Sequence, residues 1–197
     1  MITILPLDPE KLLAVIIYLA ARTRPSKFVL CKLIFLADFI HIAKYGRPIV
    51  GGRYNALPNG PVPSEALELM NSLEQKKETP TFFWKLGDIH QLFQFELDGH
   101  PRFIPTSEPD MSVFSKSDIE VLDYIVQNFG NRPVSYLWRY THNRSAYIKA
   151  TEREPDSRNP VMDYEDFFEG NMYVQPGSLD ELRENYALSK VFPPRAL

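Results

Sequence analysis

Apolar residues recur at helical spacing through the first part of the chain. Leu12, Leu13, Ile16, Ile17 and Ala20 follow Asp8-Pro9, a capping carboxylate and then the imino acid tolerated at the first helical position. The run should stop before Pro25. It is apolar almost all round, which predicts a buried helix. Ser26 then caps a second helix in which Leu33, Leu36 and Ile40 recur at i, i+3 and i+7, with Phe35, Phe39 and Ile42 one step round. Gly46 closes it, and Pro48 forbids its continuation. The short link predicts antiparallel neighbours. A run of turns follows: Gly51-Gly52, Arg53-Tyr54 and Pro58-Asn59-Gly60-Pro61-Val62-Pro63, stiff because proline fixes φ. Ser64 caps a third helix to about Lys77, with Glu65 and Glu68 favoured by its dipole.

From Thr79 to Thr106 the pattern changes to dense aromatics. Phe93, Phe95 and Leu97 alternate with Gln94 and Glu96, Asp98-Gly99 signals a tight turn, and Arg102-Phe103-Ile104 returns. A hairpin alone is unstable, so its aromatic face should pack on the helices. Ser115 and Asp118 form a capping box before a fourth helix carrying Ile119, Leu122, Ile125, Val126 and Phe129, ended by Gly130. Pro133 to Tyr140 predicts a fifth helix, Thr141-His142 a break, and Ser145 to Thr151 a further turn or two. Beyond Glu152 a charged, proline-containing loop leads to a short helix over Tyr164 to Glu169. A terminal helix follows the Ser178–Glu181 capping signature. The expected fold is mainly α (α+β): a compact helical bundle with one small antiparallel hairpin. Residues 1–151 form its core, and 152–197 an extension packed on that core.

Composition narrows the function classes. At 197 residues with 44% hydrophobic and 24% charged side chains, the chain reads as a soluble globular protein with a self-sufficient core. A net charge of −3 argues against broad nucleic-acid binding, which needs a dense cationic face. The lone Cys31 sits in an apolar helix and calls for no oxidising compartment. The longest apolar run, Leu12 to Ala21, is too short to span a bilayer and lacks a basic leader, so the expected location is cytoplasmic.

Candidate chemistry is sparse. Asp38 and His41 are three apart on one helix, which suits a metal or acid/base pair, or else a loop-binding carboxylate beside a core-edge histidine. His142 is either a base or a hydrogen-bonding link between a helix end and a loop. No Gly-x-Ser-x-Gly elbow, HExxH or Cys/His cluster accompanies it. His90 and His100 flank the hairpin and should be exposed. No cofactor, metal site or catalytic residue is assigned. Lys44, Arg47 and Arg53 form a basic cluster suited to nucleic acid or an acidic partner, or else to ion pairing with Asp38, Glu65 and Glu68 nearby. Arg53 and Tyr54 either lock the turn, with Arg53 on Asp38 or Glu65, or are displayed with Asn55, Asn59, Pro61 and Pro63 to a partner. A stiff loop carrying Tyr and Arg suits an interface.

Several of these residues also carry a resemblance. Leu36-Ala37-Asp38, then Tyr45-Gly46-Arg47-Pro48-Ile49, Arg53-Tyr54 and Gly60-Pro61-Val62-Pro63-Ser64 resemble the Panacea domain family, the SocA-like antitoxins and phage-associated GepA-like proteins. Leu137, Thr141-His142 and Tyr147, where tryptophan is common in the family, extend the likeness over roughly residues 9–151. The resemblance implies an antitoxin that neutralises a cognate toxin protein by binding it. One branch of the family instead presents the toxin to a protease, the adaptor alternative. Family members carrying a fused DNA-binding or zinc domain differ from this chain, so direct nucleic-acid binding is not expected. A small enzyme using His142 or Asp38/His41 is the competing class.

Overall fold

A computed structural model describes residues 2–191, apart from the side chains of Leu97 and Asp98. Helix α1 (Pro9–Thr23) starts as its sequence predicts, with the Asp8 carboxylate accepting from the Lys11 amide. Helix α2 (Lys27–Tyr45) is capped by Ser26 and closed by Gly46. Its residues from Leu30 to Ala43 are all buried. That burial follows from an apolar surface that wraps the whole helix, and makes α2 the central rod. It packs against α1, and against helices α3 (Ser64–Gln75), α4 (Lys116–Phe129), α5 (Val134–His142) and α7 (Leu179–Val191).

The expected hairpin is present as β3 (Phe93–Asp98) and β4 (His100–Pro105), paired antiparallel about Gly99. Phe93 and Phe103 are buried, and Phe103 donates its amide to the Pro25 carbonyl, so the hairpin covers the α1–α2 link. The side chain of Leu97 lies outside the described residues. A second hairpin corrects the expectation of only one. The proline-rich stretch pairs β1 (Tyr54–Leu57) with β2 (Gly60–Pro63) around Pro58-Asn59. Prolines at positions 61 and 63 are compatible because β2 turns its other edge to α2 and α5 rather than to a third strand.

Smaller departures have local causes. Pro63, not Ser64, is the N-cap of α3, since the Ser64 hydroxyl is committed to Asn55. That helix ends at Gln75, where Lys76 takes a left-handed conformation. Helix α5 continues through Thr141-His142 instead of breaking there, because the Thr141 hydroxyl donates back to Leu137 and leaves the helix intact. Helix α6 (Ser145–Arg153) follows. Tyr164–Phe167 is a short 3-10 turn, and α7 begins directly after Ser178, whose hydroxyl donates to Gln175.

Residues after 152 contribute to the same core. Rings of Phe35 and Phe39 from α2, Tyr54 from β1, and Tyr164 and Phe167 pack mutually edge-on and stacked. The segment 160–162 lies along β1, with the Ala56 amide donating to Pro160 and the Met162 amide to Tyr54. It thereby covers an edge that would otherwise be unpaired. A Cβ on Gly46 would run into the Leu182 carbonyl, so α7 rests directly on the end of α2.

Candidate functional site

Asp38 organises the turn after α2. Fully buried, its carboxylate accepts from the amides of Ile49, Val50 and Gly51 at 2.7, 3.0 and 3.2 Å, and from the Tyr54 hydroxyl at 3.0 Å. Three successive N–H groups converging on one carboxylate form an anion nest. Burial pushes the Asp38 carboxyl up to about 6, against the pull of those four donors. Tyr54 is 1% exposed, and its hydroxyl is driven well above its ordinary pKa by burial and by Asp38. Tyr54 is thus buried inside the turn, bonded to Asp38, and is not displayed at the surface.

The hairpin that follows is clamped from two sides. Lys32, 1% exposed, reaches from α2 and donates to the Pro61 carbonyl at 3.0 Å. No carboxylate pairs with it among the described residues, and burial draws its ammonium down to about 8. From the other side, His142 has one ring nitrogen 3.1 Å from the Pro58 carbonyl and the other 2.6 Å from that of Trp138. An N–H on either nitrogen has a carbonyl waiting. His142 is thus the predicted link between helix end and loop. Tyr147 adds its hydroxyl to the Leu57 carbonyl at 3.0 Å.

Gly60 lies between the clamps at φ +97, where a Cβ would stand 2.8 Å from both Lys32 Nζ and His142 Cε1. The glycine is required by conformation and by space together.

The predicted contact residues divide by exposure. Asn55, Pro61 and Pro63 are buried with Tyr54, which corrects their expected display. Asn55 welds the hairpin to its neighbours, donating to Asn159 at 2.8 Å and accepting from Ser64. Arg53 and Asn59 face solvent. Arg53 does not pair with Asp38, and it is its amide, not its guanidinium, that donates to Glu65. Its side chain borders an open groove of about 400 Å³ floored by Leu57, Val62 and Leu67.

Lys44, Arg47 and Arg53 do not form one cluster. Lys44 and Tyr45 bind Glu120 on α4, and Arg47 reaches Asp118 at 2.9 Å. Asp118 is buried and also holds Lys11 at 3.2 Å. Burial would raise its carboxyl, but contacts with His41, Arg47, the Ser115 amide and Lys11 outweigh that and hold it well below the usual carboxylate range. His41 faces this group with Nε2, 3.1 Å from Ser117 and 3.2 Å from Asp118, while Nδ1 stands 2.7 Å from the Arg47 carbonyl. Burial lowers its pKa, opposed by its contacts with Asp118 and the Arg47 carbonyl. This ion cluster was not legible from local sequence, because Lys11, Arg47 and Asp118 lie far apart in the chain.

Asp38, His41 and His142 each bind different partners: the 49–51 turn, the Arg47/Asp118 cluster and the β1–β2 tip. They do not form a joint acid/base centre. Among the described residues no group of three or more His, Cys, Asp or Glu side chains is placed to hold a metal ion, and no helix is long and apolar enough to cross a membrane. His90 departs from expectation, being half-buried, with a buried Nδ1 that finds no partner. His100 is exposed, and Cys31 is a buried thiol pushed up to about 12 by desolvation.

The residues that clamp the hairpin from either side, Lys32, His142 and Tyr147, lie within one family match. No curated protein and no solved structure matches the chain. A family model does: the antitoxin SocA-like, Panacea domain, over residues 30–147. That span holds α2 from Leu30 onward, both hairpins and the helices through the start of α6. Since it covers more than half of the sequence, the chain belongs to the SocA-like antitoxin family and carries its Panacea domain.

Proposed function

We propose that the protein is the antitoxin of a toxin–antitoxin pair and neutralises its cognate toxin by direct, stoichiometric binding. The observation that carries this reading is the β1–β2 hairpin. The hairpin is fixed by Asp38, Lys32 and Asn55 along its strands and by His142 at its tip, while Pro58, Asn59 and Arg53 remain at the surface. A segment so restrained loses little further entropy when a partner covers it, so more of the contact energy appears as affinity. Arg is a favoured anchor at interfaces, and here it borders a groove with an apolar floor.

The test is co-expression with the toxic product of an adjoining reading frame, scoring growth and co-purification. Wild-type chain restores growth, and intact toxin elutes with it. Arg53→Ala combined with Asn59→Ala weakens both readouts and leaves the melting temperature unchanged. Tyr54→Phe lowers the melting temperature instead. Growth restored only when a cellular protease is present, with the toxin degraded, would replace neutralisation with the adaptor mechanism.

A further inference from the structure

Helix α5 carries a face that the hairpin does not use. No Asp or Glu stands between Asp123 and Glu152, in a chain whose net charge is −3. Within that span Lys149 is paired with Asp166 and Glu169. Arg132, Arg139 and Arg144 face no carboxylate among the described residues.

Two of these arginines belong to a ladder at four-residue spacing. The Tyr136 and Tyr140 rings stack with centroids 5.7 Å apart and planes 17° from parallel. Arg132 lies 5.1 Å from the Tyr136 centroid and Arg144 lies 4.3 Å from that of Tyr140. Their Nε groups donate to Asn128 and Tyr140, both at 2.9 Å. Guanidinium groups held this way are already ordered before any anion arrives.

A second stripe runs beside the ladder. Val134 is 52% and Trp138 43% exposed, and Trp138 stacks on His142 at 3.9 Å. Through His142 the stripe meets the tip of the β1–β2 hairpin at Pro58. At its other end Val134 joins Phe28 and Pro101 in lining a pocket of about 420 Å³, with the Lys27–Glu74 ion pair alongside. Unpaired arginines, exposed aromatics and an apolar pocket thus lie along α5 and just beyond its two ends.

We propose that this α5 face docks the partner protein, through a segment in which Asp or Glu side chains surround an apolar residue. The apolar residue enters the Phe28–Pro101–Val134 pocket, and the carboxylates meet Arg132 and Arg139. Charge complementarity selects an acidic segment. A pocket walled by Phe28, Pro101 and Val134, with Glu74 at its side, favours a protein's apolar side chain over a nucleic acid, whose phosphates would satisfy the arginines and leave the pocket unfilled. The partner's identity as a toxin rests on the reading above, whereas its chemistry rests on this surface alone.

The experiment measures fluorescence polarisation of the full chain with a labelled peptide of about twelve residues placing Glu and Asp around Leu and Phe. A lysine-substituted counterpart and a single-stranded RNA serve as comparators. The acidic peptide binds, more weakly as salt rises. Both Trp138→Ala and the pair Arg132→Glu, Arg139→Glu weaken it about tenfold or more, the charge-reversal pair without changing the melting temperature. No binding of the acidic peptide, equal binding of the lysine version, or preference for RNA would overturn the proposal. Toxin rescue separates the two claims. Rescue undiminished in these variants removes the α5 face and leaves the antitoxin reading standing. Peptide binding by a chain that rescues nothing does the reverse.

Discussion

Lys32 Nζ and His142 Cε1 both lie 2.8 Å from the point where a side chain on Gly60 would begin. One residue comes from the central helix α2, the other from the end of α5, and the β1–β2 hairpin passes between them. A methyl group at Gly60 must displace one clamp or the other, in a backbone conformation at φ +97 that L residues rarely adopt. Gly60→Ala should therefore cost about 1–3 kcal/mol in urea unfolding. It should also shift the hairpin tip, visible as chemical-shift changes at Pro58 neighbours and at Trp138.

Lys32 gives the fold an alkaline signature. Its ammonium is drawn down to about 8 by burial. The unfolded chain therefore holds a proton that the folded chain releases between about 8 and 10.4. Where the unfolded state binds more protons, stability rises with pH. The wild-type unfolding free energy should climb through that window with a slope of up to about 1.4 kcal/mol per pH unit. Lys32→Met should abolish the slope. Urea titrations at pH 7.5 and 9.5 check this. An equal rise in the variant would place the ammonium in water.

Much of this architecture is legible in the sequence. Asp8-Pro9, Ser26, Gly46 and the Ser115–Asp118 box mark helix ends that the structure keeps. What local pattern cannot supply is the partner of each end. Proline density suggested turns at 58–63, yet a strand formed there because α2 and α5 cover its far edge. Tyr54 carries the marks of an interface residue, and only its position over Asp38 makes it a core residue. Asp118 likewise looks like a routine capping carboxylate until Lys11, Arg47 and His41 arrive from distant elements. The α5 ladder was readable in principle, as Arg132, Tyr136, Tyr140 and Arg144 keep one spacing. Its meaning depends on the carboxylates that do not come near it.

The Asp38 nest predicts graded losses. Tyr54→Phe removes one donor of four and keeps the ring packing, so it should cost about 0.5–1.5 kcal/mol. Asp38→Ala leaves the amides of Ile49, Val50 and Gly51 without their acceptor, and should cost more than about 3 kcal/mol. Calorimetric melts of both variants test the order. A Tyr54→Phe loss as large as that of Asp38→Ala would mean that the tyrosine, not the amide nest, holds the turn.

His41 and Asp38 should pull stability in opposite directions in mild acid. Burial lowers the His41 pKa, so below about 6.5 the unfolded chain takes up a proton that the folded ring resists, and stability falls with pH. Asp38, raised to about 6, takes up its proton in the folded state first, so its contribution increases as pH falls from about 6 to 3.9. Between 6.5 and 6 the histidine acts alone, and below 6 the two offset each other. His41→Gln removes the falling limb and exposes the rising one. Relative to wild type, its unfolding free energy should therefore improve as pH drops below about 6.5, whatever its fixed cost at pH 7.5. A constant difference between the two proteins over that range would show that His41 accepts its proton in the fold, completing an ion pair with Asp118 across their 3.2 Å contact.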